Sequence, residues 1–304
     1  MRIGIDLGGT KIEAISLDPG GVERFRKRVA SPRGDYEGTI EAIAGLIDAA
    51  EQAAGPATVG IGIPGAISPA TGLIKNANST WLNGRSLAED LTARLRREVR
   101  IANDANCLAL SEAADGAAAG HPVVFAVIIG TGTGGGIVTN GRIVVGANAI
   151  GGEWGHNPMP WPDADEWPGP PCYCGRMGCL ETFLSGPGMA LSHRQRTGER
   201  LDAGTVARRA SEGEAAAVET IGRYARRLAK GLASIVNVLD PDVIVLGGGL
   251  SNIDELYRQV PSLWKEYVFS DHVATRLVKA MYGDSSGVRG AAWLWGTDEL
   301  SQGA

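Results

Sequence analysis

The residues best suited to chemistry crowd into one stretch, 153–181. It opens with Glu153-Trp154-Gly155-His156, continues through a loop rich in Pro and Trp, and closes with Cys172-Tyr173-Cys174-Gly175-Arg176-Met177-Gly178-Cys179-Leu180-Glu181. Three of the four cysteines of the chain fall within eight residues, and His156 lies sixteen residues before the first of them. His156, Cys172, Cys174 and Cys179 make up a set of four zinc ligands, because thiolates and imidazole satisfy a structural Zn²⁺ with no position left for water. A chance cluster of reduced cysteines is the plain alternative, and a disulfide would leave one of the three cysteines over. Two carboxylates, Glu153 and Glu181, flank the loop such an ion would anchor.

Two short glycine runs follow apolar strands and suit phosphate. Gly8, Gly9, Thr10 and Lys11 lie between the runs 2–7 and 12–17, with Asp6 at the end of the first strand. Glycine backbone can approach an anion closely, Thr10 and Lys11 add a hydroxyl and a cation, and Asp6 can reach a magnesium ion through water. The second run, Gly130-Thr131-Gly132-Thr133 and three further glycines, follows the apolar strand 123–129 and leads into another strand, 137–140. Both are hairpins, so neither is a dinucleotide fingerprint or a P-loop, each of which needs a helix next. Gly60, Gly62 and Gly65 fail the same test, because Pro64 follows the strand 58–63 and no helix opens there. A third glycine run, Gly247-Gly248-Gly249, is side-chain-free backbone against which adenine or ribose can lie.

Asn103 and Asp104 end the strand 99–102. Either can cap the helix that follows, 105–118, while Asp104 is also a general base able to take the proton of an attacking hydroxyl. The polar run 75–84, with Asn76, Asn78, Asn83 and Trp81, offers amides and an aromatic face that suit a sugar, and is otherwise a surface loop.

Amphipathic helices at 36–53, 86–97 and 214–239 and a last one from 285 carry these strand ends. The arginines and lysines of the long helix 214–239 read as a solvated face. At 304 residues and 44% hydrophobic content the chain is long enough for two domains with proper cores. Its 44 glycines are about twice the usual share. A net charge of −5 argues against nucleic-acid or membrane-surface partners. No apolar run approaches the ~20 residues of a membrane span and no signal-peptide layout opens the chain, so a cytoplasmic protein is expected.

Taken together, the stretches Ile5-Asp6-Leu7-Gly8-Gly9-Thr10-Lys11, Ala102-Asn103-Asp104-Ala105-Asn106, Ile129-Gly130-Thr131-Gly132, Glu153-x-Gly155-His156 and Cys172-x-Cys174-Gly175-x-x-Gly178-Cys179-x-Glu181 resemble the ROK family of bacterial sugar kinases over essentially the whole chain. The resemblance implies an α/β actin/hexokinase-like ATPase fold, with two RNase-H-like lobes, a cleft between them and a zinc-bound loop. The small lobe would span 1–118 and be rejoined by a C-terminal helix at 285–304; the large lobe would span 119–284 and carry the zinc loop 153–181. ATP with Mg²⁺ would bind across Asp6, Gly8, Gly9, Thr10, Lys11, Thr131, Gly132, Thr133, Gly247, Gly248 and Gly249. Asp104 would be the catalytic base, with Gly65, Asn78, Asn103, Glu153, His156 and Glu181 at the sugar. His156 would serve the zinc with one ring nitrogen and a sugar hydroxyl with the other.

Glucokinases and N-acetylhexosamine kinases of the family tend to carry Pro-Asn and Gly-Trp pairs where this chain has Ala77-Asn78 and Thr80-Trp81. The expected reaction is therefore that of the fructokinase/mannokinase type, phosphoryl transfer to the 6-hydroxyl of fructose, with mannose and glucose as lesser substrates. The alternatives are a glucokinase or N-acetylhexosamine kinase of the same family, a non-catalytic sugar sensor, and an actin-like ATPase, which has no use for the zinc loop. A homodimer with no nucleic-acid or membrane partner is expected, and, with the first strand beginning at residue 2, a DNA-binding regulator like the family's helix-turn-helix repressors is not expected.

Overall fold

A computed structural model describes residues 1–296. The chain forms two compact units. The first comprises Met1–Gly120, Gly141–Gly151 and the chain from Asp284; the second comprises His121–Asn140 and Gly152–Gly283. The part of the expected C-terminal helix beyond residue 296 lies outside the described residues.

The first unit is built on β1 (Arg2–Leu7), β2 (Lys11–Leu17), β3 (Glu23–Ala30), β4 (Thr58–Ile63) and β7 (Arg100–Asn103), in the order β3-β2-β1-β4-β7. A two-stranded ribbon, β5 (Ala66–Ile67) with β6 (Ile74–Lys75), follows β4. β1 to β3 form an antiparallel meander, while β4 lies parallel to β1 and β7 parallel to β4. Parallel strands end on the same side, so Asp6 on β1 and Asn103 on β7 reach one edge of the sheet. Helices α1 (Tyr36–Ala54) and α2 (Leu87–Leu95) bury apolar stripes in this unit's core, with Ile40, Ile43, Ile47, Leu87 and Leu91 among the strands' isoleucines. α3 (Asp104–Ala114) and α9 (Ser286–Trp293) pack against each other. α9 lies so close to the sheet that a Cβ on Gly4 or Gly60 would stand 2.0 or 1.8 Å from its carbonyl oxygens. Glycine is required at both places.

The second unit repeats the plan. β8 (Val123–Ile129) pairs antiparallel with β9 (Thr133–Thr139) and parallel with β11 (Val243–Gly247), which pairs parallel with β12 (Arg276–Lys279). The short β10 (Arg142–Ile143) belongs to the 141–151 segment of the first unit. The glycines 134–136 lie within β9, not beyond it: they pair with Ile128, Val127 and Ala126, and the turn shrinks to 130–132. Helices α4 (Leu180–Leu184), α5 (Gly186–Thr197), α6 (Ala203–Ser211) and α8 (Asp254–Leu263) surround the long α7 (Ala215–Leu239). Ile221, Tyr224, Leu228 and Leu232 of α7 lie in the core, as helical spacing requires. Its cations divide. Arg227 and Lys230 are buried and ion-paired to Glu166, which corrects the reading of a wholly solvated charged face. Spacing could not distinguish them, because a buried cation needs a partner supplied from a distant loop.

Each unit thus has the RNase-H-like plan of an antiparallel hairpin followed by parallel strands. No helix among the described residues is long and apolar enough to cross a membrane.

Candidate active site and metal centre

In the first unit the glycine turn closes with the Gly8 N–H donating to the Lys11 carbonyl at 3.0 Å. The chain after β3 braces it: Ser31 N–H donates to Thr10 O at 3.0 Å and Arg33 Nε to Gly9 O at 3.0 Å. Arg33 adds a cation beside the turn that no motif announced. Asp6, at the end of β1, titrates at about 6, raised first by burial and then by the carboxylates of Asp104 and Glu13, against the opposing pull of Lys11 and Arg28. Two carboxylates crowded at one sheet edge suit a hard divalent cation with oxygen ligands.

Asn103 caps α3 and Asp104 is the first residue of that helix. The Ala105 N–H is shared by Asn103 Oδ1 at 2.9 Å and Asp104 Oδ1 at 2.8 Å, and Asn103 Nδ2 donates to Gly65 O at 3.0 Å. Gly65 has φ +78° and a Cβ there would meet the Lys75 carbonyl at 2.4 Å, so only glycine makes the turn. The 75–84 loop is held from within. Asn83 accepts from Ala77 N–H and donates to Ala77 O, both at 2.9 Å, so its amide serves the loop and is not offered to a sugar. Asn78 is exposed. Buried Ser79 Oγ is next to Gly9, with no hydrogen-bond partner.

In the second unit Glu181 sits in the first turn of α4, and its Oε2 accepts the Thr133 N–H at 3.0 Å. The zinc-loop carboxylate therefore touches the phosphate hairpin. Thr131 is exposed, whereas Thr133 is buried with Oγ1 unpartnered, so the second threonine hydroxyl expected for phosphate is not presented to solvent. Its side chain turns inward because β9 begins at Thr133, four residues earlier than the glycine pattern suggests. Gly248, at φ +82°, has no room for a side chain, since a Cβ there would stand 2.6 Å from the Ile129 carbonyl oxygen, while Gly249 and Thr131 line one cavity of about 530 Å³. Gly247 is buried in β11. The rest of that cavity comes from Gly130, the start of α5 (Gly186, Pro187, Ala190) and the start of α6 (Asp202 to Gly204), with Leu250. None of the α5 and α6 residues was singled out from sequence. The Ser-Gly-Pro and Asp-x-Gly signals of helix starts were legible, but not that both starts would meet at one cavity.

Trp154 anchors the other end of the zinc loop, with Nε1 donating to Gly134 O at 3.0 Å and its ring edge-on to Phe125 at 5.8 Å. Next to it Glu153 is exposed. The ligand atoms of His156, Cys172, Cys174 and Cys179 all lie within 4.8 Å of one another. His156 Nδ1 is 3.5 Å from Cys172 Sγ, and the Cys174 and Cys179 sulfurs are 3.6 Å apart. Ligands 2.1–2.3 Å from a tetrahedral zinc stand about 3.4–3.8 Å from each other, so these two pairs have the spacing the metal needs, and the four residues together could hold it. Burial, then the neighbouring sulfurs, push the Cys179 thiol up to about 12, the crowding a cation would relieve. The other imidazole nitrogen, Nε2, is 2.9 Å from the hydroxyl of the exposed Tyr173.

A family model described as the ROK family matches residues 2–298. An N-acetyl-D-glucosamine kinase of Pectobacterium atrosepticum is 41% identical over 299 residues, covering 97% of this chain and 98% of its own. The enzyme of the same name from Pasteurella multocida is 40% identical over 303 residues, covering 97% and 99%. Among solved structures, a ROK hexokinase from Thermus thermophilus superimposes with a TM-score of 0.87 at 32% identity over 99% of both chains. A ROK glucokinase from Streptomyces griseus, in complex with glucose and AMPPNP, gives 0.77 at 27% identity over 96% of this chain and 98% of its own. The chain belongs to the ROK family. It has that family's ATPase fold and is a sugar kinase. The fructokinase assignment is not supported: relatives matched over nearly their full length carry an N-acetyl-sugar name, and the 75–84 run on which fructose rested keeps part of its amide chemistry for its own fold.

Proposed function

We propose that the protein transfers the γ-phosphoryl group of ATP to the 6-hydroxyl of N-acetyl-D-glucosamine. The observation that carries the sugar is the 40–41% identity, across nearly the whole of both chains, to kinases of that name. Asp104 is the general base: it stands at the first turn of α3, where an attacking hydroxyl hydrogen-bonded to it is aligned and loses its proton as the bond to phosphorus forms. Asn103, Gly65 and Asn78 with Glu153, His156 and Glu181 position the sugar. The hydrogen bond from Thr133 N–H to Glu181 supports that role, because it fixes one carboxylate oxygen and leaves the other for a hydroxyl.

The 530 Å³ cavity beside Thr131 and Gly249 is the proposed adenosine site, and its glycine-rich walls favour a flat base. Gly8, Gly9, Thr10, Lys11 and Gly132 hold the phosphates by backbone N–H groups, hydroxyl and ammonium. Mg²⁺ supplies charge neutralisation on the phosphates, with Asp6 as its carboxylate. Zn²⁺ supplies structure: His156, Cys172, Cys174 and Cys179 would hold it and so fix the backbone between Glu153 and Glu181. The direct test is ADP release from ATP-Mg with N-acetylglucosamine, N-acetylmannosamine, glucose, fructose and mannose. The reading predicts the highest kcat/KM on N-acetylglucosamine. A preference for fructose restores the first expectation, and turnover on none of the five, with ATP bound, leaves a sensor.

A further inference from the structure

Between the zinc ligands lies a segment, 157–171, for which the proposed reaction has no use, and at its middle is a buried ionic knot. Glu166 is 2% exposed at its side chain, Arg227 5% and Lys230 1%. Glu166 Oε1 accepts from Arg227 Nε at 2.7 Å; Oε2 accepts from Lys230 Nζ at 3.1 Å and from the Asp163 N–H at 2.9 Å. Asp163, half exposed, adds a second carboxylate 3.1 Å from Lys230. Burying three charges is costly unless all are paired, and here the glutamate's usual value falls to about 2 despite burial, through Arg227, the Asp163 N–H and Lys230.

Arg227 reaches further than its partner. Its Nη1 donates to Ser192 Oγ at 3.0 Å, and its guanidinium lies 4.9 Å from the ring of Phe183. Phe183 sits two residues past Glu181 on α4, and a Cβ on Gly169 would press on the same ring at 3.0 Å. From Gly169 the loop returns to the ligands: Gly178 N–H donates to Pro170 O and Met159 N–H to Gly178 O, both at 2.9 Å. One chain of contacts thus runs from α7 through Glu166 to the cysteine turn, and a second from α7 through Phe183 to the helix that carries Glu181.

We propose that Glu166, Arg227 and Lys230 are positioning residues for the metal centre and for Glu181: they pin the 157–171 loop to α7 so that the four ligands stay gathered at the size of the zinc site. The proposal rests on the reading of 153–181 as a zinc-held sugar site. Outer contacts that orient ligands change metal affinity by about 10–100-fold when removed. Glu166→Gln keeps the shape but leaves Arg227 and Lys230 without their buried counter-charge. Arg223→Ala, which removes the neighbouring and half-exposed pair with Asp165, is the control.

The experiment measures zinc release from the purified, fully loaded full-length variants to a chromophoric chelator, with amide hydrogen exchange of 157–181 on the same samples. Glu166→Gln should release zinc at least about tenfold faster, show faster exchange through 157–181, and raise KM for the sugar more than KM for ATP, with Arg223→Ala like wild type. If Glu166→Gln proves poorly folded, Arg227→Lys, which keeps the charge but loses the reach to Ser192, should show the same pattern at smaller size. Unchanged release and exchange in folded Glu166→Gln overturn the proposal. A wild-type chain that binds no zinc overturns the metal reading instead, and unchanged exchange of 157–181 in that chain's variants then overturns the anchor as well.

Discussion

The acidic edge of the first unit and the cysteine loop of the second hold side chains for one proposed reaction by opposite means. Asp6, Asn103 and Asp104 stand at strand ends, so parallel pairing of β1, β4 and β7 puts them side by side with no further device. Glu153, His156 and Glu181 stand on or beside an irregular segment that needs a proposed metal, a buried tryptophan and an ionic knot to give them fixed places. Regular structure positions chemistry through register, which is local and robust. A loop does so only through many separate anchors, each of which can be lost.

The difference sets the size of what substitutions should do. Asp104→Asn leaves the sheet and the α3 cap in place, since Asn103 still accepts the Ala105 N–H, so its effect should fall on the chemical step alone. We expect kcat to drop by about 10²-fold or more, with KM for sugar nearly unchanged, in steady-state kinetics; turnover within a few-fold of wild type would remove Asp104 as base. Cys179→Ser should act more widely. It removes one proposed ligand at the residue that opens α4, so zinc content by elemental analysis should fall well below one per chain and KM for sugar should rise roughly tenfold or more. A variant with full zinc and unaltered KM would separate the metal from the sugar site.

The same contrast decides what was legible in the sequence. Strand ends, glycine turns and the caps of helices are written in neighbouring residues, so the places of Asp6, Asn103 and Asp104 and the gathering of His156 with the three cysteines could be read from spacing. The knot could not, because Glu166 is distant in sequence from Arg227 and Lys230 and each alone is an ordinary surface residue type. Nor could the walls of the 530 Å³ cavity, where two helix starts meet a glycine turn through folding of the whole unit. Substrate was the weakest inference for a related reason. The 75–84 run is rich in amides, but the part Asn83 plays in closing the loop is visible only once its two bonds to Ala77 are seen.

The smallest expected effect concerns the strain stored at the acidic edge itself. Asp6 titrates at about 6 in the folded chain, against an ordinary value of 3.8. The folded state therefore holds a proton that the unfolded chain has released between those two values, and stability falls as pH rises from about 4 to about 6. Above that range the full penalty of an ionised Asp6, buried and beside Asp104 and Glu13, is in force. Asp6→Asn removes it while keeping the shape, so in EDTA the variant should melt on the order of a few degrees above wild type at pH 7.5. The gap should narrow below pH 6 and vanish below about pH 4, where wild-type Asp6 is neutral in both states. Adding Mg²⁺ at pH 7.5 should raise the wild-type melting temperature and leave the variant where it was, because a cation answers the same repulsion that the substitution deletes. Equal melting of the two proteins across the whole pH range would mean that neither burial nor the carboxylates of Asp104 and Glu13 penalise a charged Asp6, and its proposed magnesium role would lose its electrostatic basis.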